Sequence, residues 1–127
     1  MSFSLDGRTA VVTGAGAGIG AAVARAFAAA LKDAGIEADR VDALVVAGTH
    51  GRACKAVVRK LGVDAAKVVD DRSAVIGNPG AAQPGVLLAA ALDAAGPGQV
   101  IVLLTLADGA DALVFRATDA IEAHTSA

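Results

Sequence analysis

The sequence predicts an α/β layered domain, and three observations predict it. Short apolar runs of strand length alternate with longer alanine-rich stretches from Thr9 to Leu104. The helical stretches close on glycines, at Gly35, Gly62 and Gly96. The run Ala43 to Ala47 is apolar throughout rather than alternating, as in strands buried on both faces of a parallel sheet. The expectation is a five-stranded, mostly parallel sheet with three helices, in strand order 3-2-1-4-5.

The first strand is expected at Thr9 to Thr13 and the first helix at Ile19 to Ala34, stopped by Gly35. The second strand is Ala43 to Ala47. A second helix follows from Gly51 to Leu61, and a short third strand lies near Lys67 to Asp70. The third helix spans Gly80 to Ala95, and Gly96-Pro97-Gly98 closes it. The fourth strand, Gln99 to Leu104, and the fifth, Ala112 to Thr118, are joined by residues 107–111. That link is too short for a crossover helix, so the last strand should run antiparallel. Asp108 and Asp111 flank Gly109 and read as hairpin-turn residues. Residues 122–127 read as a frayed polar tail.

At 127 residues the chain reads as one domain, 1–127. Hydrophobic residues make up 55% and aromatics 2%, so its core must be built from Ala, Val, Leu and Ile. A net charge of −2 gives no electrostatic case for nucleic acid. One cysteine excludes a disulfide framework within the chain and a CxxC metal site. No basic-then-apolar leader is read at the N-terminus. The longest apolar run, Val86 to Leu92, is too short to span a bilayer. A cytoplasmic protein without nucleic-acid or membrane partners is the expectation.

Residues Thr13-Gly-Ala-Gly-Ala-Gly-Ile-Gly20 sit between an apolar strand and an alanine-rich helix. Glycines there would admit a pyrophosphate, and the helix N-terminus would present its amides to it. With the lead-in Leu5-Asp-Gly-Arg-Thr-Ala-Val-Val, this stretch resembles the opening of a short-chain dehydrogenase/reductase. That Rossmann-type pattern, Thr-Gly-x-x-x-Gly-x-Gly, is matched by Thr13, Gly14, Gly18 and Gly20. The resemblance implies a nucleotide cradle of Thr13, Gly14, Gly16, Gly18, Ile19 and Gly20. Position 47 is Ala and Arg52 follows, so a dinucleotide preference would lean to NADP over NAD. The family's catalytic Tyr-x-x-x-Lys is missing, because the chain has no tyrosine.

From about residue 31 a different resemblance takes over. Its carriers are Ala30 to Asp42, Arg52-Ala-Cys-Lys-Ala-Val-Val-Arg-Lys-Leu-Gly62, Ile76-Gly-Asn-Pro-Gly-Ala-Ala-Gln-Pro84, Ala94 to Leu104, and Gly109-Ala-Asp-Ala112. Together they resemble the C-terminal half of the thiolase superfamily, nearest to 3-hydroxy-3-methylglutaryl-CoA synthases and ketoacyl synthase III enzymes. Residues 31–121 are assigned to that half and 1–30 to the dehydrogenase-like part, a chimera-like chain with its seam inside the first helix near Ala28 to Leu31. The resemblance implies a β-α-β-α-β-α-β-β order. It matches Asn78 to the family's Asn, which polarises a thioester oxygen. It places Ala47 where the family has its His, and His50 where the associated Asn falls. The nucleophilic cysteine belongs to the other half, so carbon–carbon bond formation by this chain alone is not expected.

Among single residues, His50 reads as a surface loop histidine and Cys54 as a small core residue. Asp70-Asp71-Arg72 reads as a solvated turn. The third helix carries one charge, Asp93, and has no polar face, which calls for cover all round. The thiolase resemblance supplies the form of that cover, two like halves face to face. A homodimer is therefore expected through Val86, Leu87, Ala90, Ala91 and Ala94. Three functions stay open: a non-catalytic self-associating domain, an NAD(P)-binding module, and a degenerate thiolase-type subunit needing a partner chain.

Overall fold

The structure, a computed structural model, describes residues 19–48, 51–107 and 109–125. The expected first strand and the loop from Thr13 to Gly18 lie outside the described residues, as do His50 and Asp108.

Helix α1 spans Ile19–Ala34. It turns Val23, Ala26, Phe27, Ala30 and Leu31 into the core, a helical spacing of three to four residues. Its end is built as the sequence requires. Gly35 takes φ +65, the Gly35 N–H donates to the Lys32 carbonyl, and the Ile36 N–H reaches back to Leu31 at 2.9 Å. This is a Schellman cap, with Ile36 packed against the cluster that holds Leu31.

Strand β1 (Ala43–Gly48) follows, then α2 (Gly51–Lys60), the four-residue helix α3 (Ser73–Ile76), and α4 (Gln83–Asp93). The chain then forms β2 (Val100–Leu106), β3 (Ala110–Arg116) and α5 (Ala120–Thr125). β1 pairs with β2 in parallel and β2 with β3 antiparallel, in the order β1-β2-β3. Asp42 fastens the start of the sheet: its backbone N–H donates to the Val100 carbonyl and its carboxylate accepts the Val100 N–H at 2.8 Å.

Side-chain alternation splits the core into two. Leu44, Val46, Val102, Leu104, Ala110 and Ala112 face α1 and α2. Val45, Ala47, Ile101 and Leu103 face α4, which inserts Leu87 and Ala91. Residues this small let helix and sheet approach closely. Gly48 shows how closely: a Cβ there would lie 3.0 Å from Cys54 Sγ and 3.0 Å from both Leu106 Cβ and the Leu106 carbonyl oxygen.

Several expectations need correction. Three strands and five α-helices are present among the described residues, against five strands and three helices. The stretch expected as a third strand makes one parallel bridge, Leu44 with Val68, before Asp70 and Asp71 turn the chain off the sheet. The order 3-2-1-4-5 does not hold, because Ala43–Gly48 pairs directly with Val100–Leu106 along its full length and leaves no slot for a strand between them. The third helix begins at Gln83, the segment 80–82 being a 3-10 turn. The last strand starts at Ala110, not Ala112, and the expected frayed tail begins with α5. α3 and α5 were missed because one or two turns are too short to show an apolar period. No helix among the described residues is long and apolar enough to cross a membrane.

Candidate functional site

Open α/β sheets present their ligands at the C-terminal ends of parallel strands, and here those ends bring together residues far apart in sequence. The β1–β2 register sets Ala47 beside Thr105, and the β2–β3 register sets Thr105 beside Asp111. The three form one row across the sheet on the α4 face, in step with Val45, Ile101 and Leu103. Thr105 Oγ1 donates to Asp111 Oδ2 at 3.3 Å. The other carboxylate oxygen, Oδ1, is buried and makes no hydrogen bond. Asp111 is therefore a strand residue, not the turn residue its neighbours suggest. The turn is closed by the Ala107 N–H donating to the Gly109 carbonyl.

Helix α4 brings a third polar group to this end. Ala90, Ala91 and Ala94 line a groove of about 550 Å³ with Asp42 and Ala43, at the start of β1. The helix thus runs antiparallel to β1, and its first residue, Gln83, lies at the C-terminal end of the strands. Gln83 shares the sheet-facing stripe with Leu87 and Ala91 and is only 8% exposed. The signals for this row were faint: a lone Thr in an apolar run, and an Asp in step with Leu113 and Phe115.

Asn78 lies in the exposed segment leading to α4, and its Oδ1 accepts the Gly80 N–H at 2.8 Å in a local turn. Its carbonyl is thus engaged, and its NH2 is the group left to face a ligand. Ala47 is 2% exposed and carries no polar atom on its side chain. Arg52 is exposed on the first turn of α2. Of the cradle residues, Ile19 and Gly20 open α1, and the rest lie outside the described residues. Among the described residues no three His, Cys, Asp or Glu side chains are placed to hold a metal ion.

Cys54 sits half-buried on the inner side of α2, against Gly48. Burial raises its thiol pKa, and the negative charge of Asp71 adds to that. An activated nucleophile needs the opposite shift. Asp71 itself is held below the usual carboxylate range, chiefly by hydrogen bonding from Ser73, whose N–H donates at 2.9 Å, with Lys55 contributing. That support for the start of α3 is present above the ordinary carboxylate pKa and lost as pH falls through the lowered value. At neutral pH the alkylation of Cys54 by iodoacetamide should be slower than that of the same residue in the unfolded chain. It should rise as pH rises. Equal rates folded and unfolded would contradict the burial argument.

Residues 31–116 of the chain match the model of the 3-oxoacyl-[acyl-carrier-protein] synthase III C-terminal family. The chain belongs to that family. Solved structures agree on the fold. The 3-oxoacyl-(acyl carrier protein) synthase III of Pseudomonas aeruginosa is 22% identical over 79% of this chain and 32% of its own, with a TM-score of 0.66. The Aquifex aeolicus synthase III is 20% identical over 76% of this chain and 32% of its own, with a TM-score of 0.67. A variant of Xanthomonas campestris OleA, solved with cerulenin, is 19% identical over 84% and 38%, with a TM-score of 0.54. No curated protein matches the chain. The chain thus spans about a third of the length of the first two solved structures. Nothing in these comparisons supports the dehydrogenase resemblance of residues 1–30, since the family match begins at residue 31.

Proposed function

We propose that this domain does no condensing chemistry of its own and works by association, its α4 helix covered by the same helix of a second copy. The observation that carries the reading is the outer face of α4. Val86 is 40% exposed, and Ala90 and Ala94 also keep open surface, with Asp93 the one charge of the helix. Leu87 and Ala91, named with them from sequence, are spent against β1 and β2 of the same chain. The contact surface is therefore narrowed to Val86, Ala90 and Ala94. A two-fold axis beside α4 would lay these small residues against their own copies and allow close helix approach.

The chemical half of the proposal rests on Ala47 and Cys54. Condensation needs a thiolate, a base and an oxyanion donor together. At the position matched to the family's base stands a methyl group, and the one thiol is half-buried on the inner side of α2, its pKa raised rather than lowered. Incubation with acetyl-CoA should leave the mass of the chain unchanged and release no free CoA. A stoichiometric acetyl adduct that turns over would overturn this half.

Asn78 favours a second reading, in which the chain completes a site on a cysteine-bearing partner of the same fold. Its exposed NH2 stands ready to polarise a thioester oxygen presented from outside. Capture of such a partner by a chain that is monomeric alone would favour this reading over the homodimer.

A further inference from the structure

We propose that each copy in the dimer inserts Val75, on α3, into the groove beside α4 of the other copy. The inference rests on the α4 pairing proposed above and adds a second contact to it. Its starting point is a shortfall of area. Val86, Ala90 and Ala94 make a strip of three side chains, two of them alanines. Stable interfaces bury roughly 800 Å² on each partner, and such a strip falls well short of that. Further apolar surface has to meet across the two-fold axis.

That surface is close by. Val75 is 84% exposed, the most open large hydrophobic side chain among the described residues. It stands on the rim of the groove of about 550 Å³ whose α4 wall is built of alanines. Val68 runs parallel to Leu44, so the chain after it advances toward the C-terminal ends of the strands, and Val75 marks that end of the groove. Asp42, Ala43 and Ala95 mark the other end. A two-fold axis at Ala90 that sets the two α4 helices antiparallel reverses these ends. Val75 of one copy then lies over Ala43 and Ala95 of the other.

Charge favours the same exchange. Arg72 is exposed at the Val75 end of the groove, and Asp42 is exposed at the opposite end. Reversal brings a guanidinium of one copy toward a carboxylate of the other, twice over, as an isologous contact requires. Asp42 accepts the Val100 N–H through Oδ2, which leaves Oδ1 to face the second copy. The groove is thus self-complementary, with an apolar plug and a cation at one end and an apolar socket and an anion at the other.

The test is sedimentation equilibrium of the wild-type chain, Val75→Glu and Ala66→Trp. Val75→Glu should weaken the dimer at least about tenfold, through the loss of one desolvated valine contact in each copy. Ala66 lines the groove on the wall opposite α4. Ala66→Trp fills the groove from that wall and should weaken the dimer as well. A dimer undisturbed by Val75→Glu would overturn the insertion and leave the α4 pairing standing, since Ala90→Glu tests that pairing separately. Weakening by Val75→Glu but not by Ala66→Trp would put Val75 outside the groove and overturn the insertion equally. A monomeric wild type would overturn both. Should either variant fail to fold, Val75→Ser or Ala66→Leu replaces it, with a smaller expected loss, and an unchanged dimer again overturns the insertion.

Discussion

Leu87→Ala is expected to lower the free energy of unfolding by about 2–5 kcal/mol, a large part of what a domain of this size holds. Leu87 is 1% exposed and is the largest side chain that α4 sends into the sheet. Around it stand Val45, Ala47, Ile101 and Leu103, all too short to close over the void. Deletion of its three outer carbons therefore leaves a cavity that the alanine-rich surroundings cannot fill. Urea unfolding followed by circular dichroism measures the loss. An unchanged midpoint would mean that α4 does not pack on β1 and β2 as described.

Ala90→Glu is expected to convert the chain to a monomer while leaving its fold intact. Ala90 lies one position before the buried Ala91 and keeps part of its surface open. In the isolated chain that position borders the groove it shares with Asp42 and Ala43 and is not a member of the sheet-facing core. In a dimer across α4 it meets its own copy near the two-fold axis. Covering several hundred Å² of apolar face per chain, at roughly 25 cal/mol per Å², yields a gross gain of about 10 kcal/mol. Association itself costs about 4–15 kcal/mol. The margin is small enough that one pair of desolvated like charges cancels it. Unfolding of the variant in step with loss of the dimer would show that position 90 is part of the core instead.

Local chemistry made much of the fold legible. The helix expected at Ile19 to Ala34 has those bounds in the structure, because its apolar spacing and its Gly35 cap are both local signals. The antiparallel turn of the last strand followed from a link too short to cross the sheet. Strand order did not follow, since it depends on where crossover helices pack and no single residue encodes it. Residues 67–70 carry strand-like side chains, yet Asp70 and Asp71 lead the chain away after one bridge.

The candidate site was less legible. Asn78 could be picked out only through the resemblance of Gly77-Asn78-Pro79 to the family's motif, since nothing else in the sequence sets it apart. Asp111 was misread because Asp-Gly-Ala-Asp has the composition of a turn, and only the register shows its second Asp inside β3, opposite Thr105. Gln83 was passed over as one polar residue in an apolar helix. Its burial depends on which face of α4 meets the sheet, and an all-round apolar helix does not declare that face. The same ambiguity put Leu87 and Ala91 among the expected partner contacts, although they are the inward residues.

Sedimentation equilibrium of the wild-type chain and Ala90→Glu, at matched micromolar concentrations, tests the association claim most directly. Twice the chain mass of 12.3 kDa is expected for the wild type, and the single-chain mass for a folded Ala90→Glu. A wild-type chain that sediments as a monomer throughout that range would contradict it.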